Sequence, residues 1–152
     1  MFRGVQYINM DAKGRVAVPA RHREPLMAAS DGKIVVTIDT RGSDCLVIYP
    51  LPEWERIQRD VEALPGLKLS VQRFQRLILA HATDLELDNS GRILLPQPLR
   101  DHARLEKKLV LAGLGNKLEL WSEDLWHAER ERALQESIDS DDLPEELLTL
   151  KL

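Results

Sequence analysis

The sequence has little or none of several features that define other classes of protein. It contains one cysteine, Cys45, among 152 residues. A single thiol excludes an internal disulfide and is typical of a reducing compartment. No apolar run approaches the roughly 20 residues that a membrane-spanning helix needs, and the N-terminal segment lacks the hydrophobic stretch of a signal peptide. We therefore expect a soluble, cytoplasmic protein with no membrane partner.

Motifs of catalysis and cofactor binding are also missing. The glycine-rich phosphate loop, the dinucleotide fingerprint and the nucleophile elbow of hydrolases do not occur in the sequence. The histidines have no metal-ligand spacing, which predicts packing or surface roles for His22, His81, His102 and His127. We expect no catalytic residue, no metal site, no cofactor and no small-molecule substrate, so the sequence does not indicate an enzyme.

Charge is distributed unevenly along the chain. The formal net charge is −4, but residues 121–152 alone hold ten acidic and three basic residues. The first 23 residues contain one acidic residue, Asp11, and five basic ones: Arg3, Lys13, Arg15, Arg21 and Arg23. Because binding to DNA depends on the field of one face, this local positive charge favours a DNA contact near the N-terminus.

The chain contains an internal repeat. Residues 8–23 (INMDAKGRVAVPARHR) match residues 85–100 (LELDNSGRILLPQPLR) at a spacing of 77. A second match, between residues 45–54 and 117–126, has a spacing of 72, so the first copy has about five extra residues in a loop. The identical positions are Asp11, Gly14, Arg15, Pro19 and Arg23, aligned with Asp88, Gly91, Arg92, Pro96 and Arg100.

Each copy predicts two strands, a short helix, two more strands and then a longer helix. Pro25 is expected to kink or shorten the first short helix, and Ser70 and Ser122 are expected to cap later helices. Residues 139–142 predict a solvated acidic linker, and residues 145–152 one or two helical turns. The predicted strands are 5–10, 15–19, 33–38, 45–49, 83–88, 92–96, 109–112 and 117–121, and the predicted helices are 21–28, 52–64 and 70–82.

The predicted fold class is α+β, with two tandem β-β-α-β-β units. The four strands of one unit alone would enclose only a small hydrophobic core. We therefore expect the two units to interleave their hairpins about a pseudo-twofold axis and to form a β-barrel with flanking helices. The predicted organisation is a first repeat at 5–52, a helical connector at 53–80, a second repeat at 81–124, and a C-terminal helix with an acidic tail at 125–152.

The repeated turns offer two interpretations. In each, an aspartate can accept backbone N–H bonds and a glycine can supply a positive φ, which predicts a structural turn motif of Asp11, Gly14, Asp88, Gly91 and Arg92. The Asp–Arg pair of each turn can be a simple ion pair or part of a DNA-reading site. The positive charge of the first copy favours the second interpretation there, whereas the second copy, with three acids against two arginines in residues 78–100, favours the ion pair.

The basic residues of the first copy have different predicted roles. Arg15 is suited to a base edge or a phosphate, and Arg3 and Lys13 to phosphates. Arg21 and Arg23 have two possible roles. They either flank the DNA or only form the solvent-exposed face of a helix.

The doubled D-x-x-x-R at 11–15 and 88–92, the start MFRG and the segment YPLPEW at 49–54 resemble the MraZ family over nearly the whole chain. The resemblance implies a swapped-hairpin fold of the AbrB/SpoVT type. It also implies a nucleoid-associated, sequence-specific repressor of an operon for cell division and cell-wall synthesis, which binds repeated promoter boxes on double-stranded DNA as a ring-like homo-oligomer. The alternative is a non-enzymatic assembly module that binds a protein partner through its acidic C-terminus.

Overall fold

The computed structural model describes residues 1–139 and 143–152, and within these it is an α+β protein, which confirms the predicted class. The strands are β1 (Phe2–Asn9), β2 (Arg15–Ala17), β3 (Lys33–Ile38), β4 (Leu46–Pro50), β5 (Thr83–Glu86), β6 (Arg92–Leu94), β7 (Lys108–Gly115) and β8 (Leu118–Ser122). The helices are α1 (Ala20–Ser30), α2 (Leu51–Glu62), α3 (Leu69–Ala80), α4 (Gln97–His102), α5 (Glu123–Asp139) and α6 (Glu145–Leu148).

The two repeats share their sheets. Six strands form one antiparallel sheet in the order β1-β7-β8-β4-β3-β5, and β2 and β6 form a separate two-stranded ribbon. The first strand of each repeat pairs with the third strand of the other, β1 with β7 and β5 with β3. Exchanging every strand for its counterpart in the other repeat leaves the strand order unchanged. The strand pairing of the described residues does not close the sheet into a barrel, so the predicted barrel stays a prediction.

The main core lies between the six-stranded sheet and the ribbon. Val16 and Ile93 of the ribbon are each 2% exposed and belong to the same buried cluster as Ile48 and Leu111 of the sheet. Because alternate residues of a strand face opposite sides of a sheet, the remaining strand residues face the side away from the ribbon. There Val35 and Val47 pack with Trp54 of α2, which makes that tryptophan part of the protein core.

The predicted shortening of α1 and the predicted cap of α3 are wrong, whereas a kink of α1 at Pro25 stays a prediction. Pro25 does not shorten α1, which continues through it to Ser30. Proline at this position removes one backbone donor, and the burial of His22 and Leu26 on either side holds the helix together. Ser70 does not cap α3, because the helix begins at Leu69 and its N-cap residue is Lys68.

The start of α5 agrees with the sequence. The backbone N–H of Leu125 donates to the Ser122 hydroxyl at 3.2 Å, so the predicted cap at Ser122 is confirmed. Glu123 and Asp124 occupy the first turn of the helix, where the helix dipole favours acidic side chains. Residues 140–142 of the predicted acidic linker lie outside the described residues.

Candidate nucleic-acid interface

The ribbon of β2 and β6 holds the two repeated turns, which we call the first turn (residues 11–14) and the second turn (residues 88–91). Val18 N–H donates to the Gly91 carbonyl at 2.9 Å, and Leu95 N–H donates to the Gly14 carbonyl at 3.0 Å. The two hydrogen bonds are equivalent, since each joins the residue that follows a ribbon strand of one repeat to the glycine carbonyl of the other repeat's turn. The antiparallel register therefore places the turns at opposite ends of the ribbon, roughly 13 Å apart along it at about 3.3 Å per residue.

The first turn is held by the carboxylate of Asp11. Its Oδ1 accepts the backbone N–H groups of Lys13 at 2.9 Å and Arg15 at 2.8 Å. These hydrogen bonds, with that from Arg15 the largest contribution, hold the pKa of Asp11 below its ordinary value. Gly14 has a φ of +89°, which residues with a side chain rarely adopt. The turn therefore presents Lys13 and Arg15 on a backbone fixed by residues within it.

The second turn has the same backbone geometry. Asp88 Oδ1 accepts the N–H groups of Ser90 at 2.8 Å and Arg92 at 2.9 Å, and Gly91 has a φ of +74°. Again the backbone bond from the residue after the turn, Arg92, is the largest contribution that lowers the pKa of the aspartate. Both turns are therefore built by the same Asp and Gly positions.

The arginines that follow the two turns differ. Arg92 Nε donates to Asp88 Oδ2 at 3.2 Å, and both side chains are nearly half exposed. The guanidinium of Arg15 has no hydrogen bond or ion pair with any residue that the structure describes. Arg15 is partly buried and its charge contributes to the lowered pKa of Asp11, but its N–H donors remain available to an external anion or base. Arg92, by contrast, donates to its own turn.

The other predicted DNA-binding residues lie in three different places. Lys13 is exposed in the first turn, next to Arg15. Arg3 is exposed near the start of β1, six residues before Asn9 and so about 20 Å along the strand from its end at the turn. The guanidinium of Arg21 lies over Gly4 of β1, where a Cβ atom would be 2.9 Å from its Nη1.

Arg23 contacts the second turn rather than the first. A Cβ at Gly91 would lie 2.5 Å from its Cδ and its Nη1, and Nη1 donates to the Ser90 carbonyl at 3.4 Å. The first repeat thus extends an arginine to the turn of the second repeat. A DNA contact by Arg23 stays a prediction.

Sequence reasoning missed two cations beside the first turn, Arg100 and Lys107. A Cβ at Gly14 would lie 2.7 Å from Arg100 Cζ, and the Lys107 carbonyl accepts the Met10 N–H at 2.8 Å. Arg100 is the repeat counterpart of Arg23, but its contact depends on the exchange of strands between the repeats. No local pattern indicates it.

The strand ends beside the two turns differ in charge. Lys107 lies beside the first turn, and the residue after it, Lys108, has a counterpart in Lys33 at the second turn. At the second turn the corresponding bond joins Leu87 N–H to the Gly32 carbonyl. A glycine there takes the place of Lys107, so the surroundings of the first turn are the more basic.

The histidines do not assemble a metal centre. Residues 1–139 and 143–152 contain no group of three potential metal ligands. His22 is 1% exposed and meets the ring of Phe2 edge-on, and burial lowers the pKa of its imidazole. Across the same residues, no helix has the length and hydropathy needed to span a bilayer.

Several known proteins of one family are similar to this chain. A family model described as “MraZ protein, putative antitoxin-like” matches twice, at residues 1–77 and 78–148. The chain is 53% identical over 153 residues to a protein of Halorhodospira halophila and 51% identical over 152 residues to one of Alkalilimnicola ehrlichii. A protein of Coxiella burnetii is 50% identical over 153 residues. In all three the match covers 100% of both chains, and each relative is named “Transcriptional regulator MraZ”.

Proposed function

Because this chain belongs to the MraZ family, we propose that it is a sequence-specific DNA-binding regulator of transcription and not an enzyme. Its partner is double-stranded DNA, and its place is the cytoplasm, at the nucleoid. The names of the full-length relatives support this function. In this function the protein represses its own operon for cell division and cell-wall synthesis.

The observation that carries the proposal is the guanidinium of Arg15, directly after the first turn, which has no hydrogen bond or ion pair in the described part of the chain. A DNA-reading arginine needs a rigid backbone and free N–H donors, since its planar fork binds a guanine edge or a phosphate through two bonds. The Asp11 carboxylate supplies the rigidity by accepting backbone bonds on both sides of Gly14. In this proposal Arg15 reads a base or a phosphate, and Lys13 binds a neighbouring phosphate.

The strand pairing supports a swapped-hairpin fold of the AbrB/SpoVT type as the scaffold of this surface. β1 leads into the first turn and pairs with the second repeat, while β2 leaves the turn and pairs with β6, also in the second repeat. Both arms of the first hairpin are thus attached to the other copy. Such a two-sided attachment holds the first turn in a defined position, next to the start of β7.

We further propose that the protein acts as a ring-like homo-oligomer on repeated promoter boxes. One turn and its neighbours offer only a few cations, and affinity for DNA rises with the number of phosphates neutralised. Several turns on one scaffold bind with a high effective concentration after the first contact. Repeated boxes fit a head-to-tail ring, in which the turns point the same way around the axis.

The function is tested by electrophoretic mobility shift with the promoter region of the protein's own operon. The wild-type protein is expected to shift this DNA and to be competed less by unrelated DNA of equal length. Arg15→Ala is expected to abolish the shift, and the matched control Arg76→Ala, which changes an exposed arginine of α3, to preserve it. Absence of a shift by the wild-type protein would contradict the proposal and favour an assembly module that acts through the acidic C-terminus.

Oligomeric binding needs a separate experiment. Light scattering coupled to size exclusion gives the number of subunits, and titration of DNA with one, two or three boxes across a salt series gives the avidity. We expect affinity to rise with the number of boxes and to fall steeply with salt. A monomer that binds one box as tightly as three would rule out the ring.

A further inference from the structure

Arg100 lies beside the first turn with one unsatisfied guanidinium atom. The residue belongs to α4 and is partly buried, and its Nε atom is buried without a hydrogen-bond partner. Its side chain forms no ion pair and no hydrogen bond with any residue in the described part of the chain. Its repeat counterpart, Arg23, by contrast donates to the Ser90 carbonyl.

Withdrawing one N–H donor of a charged group from water without an acceptor is costly, because the donor loses its hydration and gains nothing in return. Arginine cannot relieve this cost by losing its proton. The protein therefore retains at the first turn a cation that favours any anion able to approach it. At the second turn the corresponding arginine, Arg23, donates from Nη1 to the Ser90 carbonyl at 3.4 Å, and none of its atoms is buried without a partner among the described residues.

The surroundings of Arg100 form a shallow pocket of about 510 Å³. Lys107 contributes a second cation to its wall. Asp11 and Glu106 also line it, but the Asp11 Oδ1 atom is occupied by the backbone of the first turn. The full lining is Met10, Asp11, Ala12, Arg100, Glu106 and Lys107. The first repeat supplies one side of this pocket and the second repeat the other.

We propose that Arg100 binds a backbone phosphate of the DNA that the first turn reads, with Lys107 beside it. This inference rests on the proposed function, since the phosphate reaches the pocket only when Arg15 and Lys13 engage DNA. The contact is independent of base sequence, because a phosphate is the same at every step of the duplex. The DNA-reading surface is then composite, with base recognition from the first repeat and a phosphate clamp from the second.

The test compares Arg100→Gln, Arg100→Lys and the matched control Arg76→Gln. Their affinities for the operon promoter and for unrelated DNA are measured at several salt concentrations, together with their thermal unfolding. For Arg100→Gln we expect affinity to fall about tenfold on both DNAs, which is the effect of removing one charged hydrogen bond. The slope of log affinity against log salt should also lessen by about one, because the variant neutralises one phosphate fewer than wild type.

The controls separate a phosphate contact from a purely structural role. Arg100→Lys keeps the charge and is expected to keep the wild-type salt slope, and Arg76→Gln is expected to match wild type in affinity and slope. An Arg100→Gln protein with weaker binding but an unchanged slope would show that Arg100 only supports Gly14, which overturns the proposal. Unchanged binding would overturn it as well. A wild-type protein that binds no DNA would overturn the proposed function together with this inference.

Discussion

Val16 lies directly opposite Ile93 in the ribbon, and the two residues occupy the same position in their respective repeats. Both are 2% exposed, so the local symmetry of the protein is centred on a buried contact. The two turns at the ends of the ribbon have the same backbone geometry. What distinguishes them is the set of side chains that each one holds or leaves free.

Arg15 and Arg92 are expected to differ in their importance for DNA binding. Arg15→Ala should lose about 1–3 kcal/mol of binding free energy per subunit, as for one specific arginine contact. Arg92→Ala should change binding little, because Arg92 is engaged by Asp88. Fluorescence titration with labelled promoter DNA measures both. Equal losses in the two variants, or unfolding of Arg15→Ala at the assay temperature, would contradict the first turn as the reader.

The carboxylate of Asp11 is expected to contribute to stability in a pH-dependent way. Its folded pKa lies below the ordinary value of 3.8, so the stabilisation is complete above that value and is lost as pH falls through the lowered folded pKa. Asp11→Asn keeps an acceptor oxygen but does not titrate. Its melting temperature should therefore fall less steeply than that of wild type between about pH 5 and pH 2.

Asp84→Asn, which changes an exposed acid of β5, is the matched control for the acid titration and should follow the wild-type curve. If Asp11→Asn retains the full acid sensitivity of the wild-type protein, the carboxylate does not act through its backbone hydrogen bonds.

Gly14→Ala is expected to destabilise the fold for two reasons. The φ of +89° is unfavourable for alanine, and the new Cβ would lie 2.7 Å from the Arg100 guanidinium carbon. We expect a loss of about 1–3 kcal/mol in the free energy of unfolding, measured with urea. Gly42→Ala separates the two causes, since Gly42 has a φ of +96° but no atom within 4 Å of an added Cβ.

The steric part of the Gly14 effect should depend on Arg100. In the double variant Gly14→Ala with Arg100→Ala, the destabilisation should be smaller than the sum of the two single effects, which is the coupling expected of residues in contact. Additive effects would show that the guanidinium moves aside without cost.

Cys45 is expected to be unreactive in the folded protein. It is fully buried, and burial raises the pKa of its thiol, so the reactive thiolate is scarce and inaccessible. A thiol reagent should modify it only after unfolding, with a rate that rises as urea is added. Ser70→Cys in a Cys45→Ser background, at an exposed position of α3, should react at once. Fast modification of native Cys45 would show that the core beneath α5 opens readily.

Sequence patterns predicted the local structure well where the determinants lie close together in the chain. The bounds predicted for the strand at 33–38 are those of β3. The aspartate and glycine of each turn also adopt the geometry expected of them, because they act across four residues. The continuation of α1 through Pro25 could not be predicted from local patterns, since it depends on the burial of His22 and Leu26.

The contacts between repeats could not be obtained from local patterns. Arg100 reaches Gly14 and Arg23 reaches Gly91 only because strands are exchanged between the copies. Lys107 joins the first turn through a backbone bond to Met10. The repeat alignment shows that Arg23 and Arg100 are equivalent, but equivalence does not say which turn each one contacts. That information is in the pairing of distant strands.

The exchange of strands also bears on how such a chain can arise. A single repeat leaves its first strand without a partner of its own, yet two identical copies could supply each other's partners as separate molecules. Such a pair would form only at sufficient concentration. Joining the copies in one chain makes the meeting intramolecular, at an effective concentration of roughly millimolar for a short connection. The two repeats of the joined chain can then diverge in sequence. The first can retain Arg15 for binding, while the second supplies residues that support the first turn.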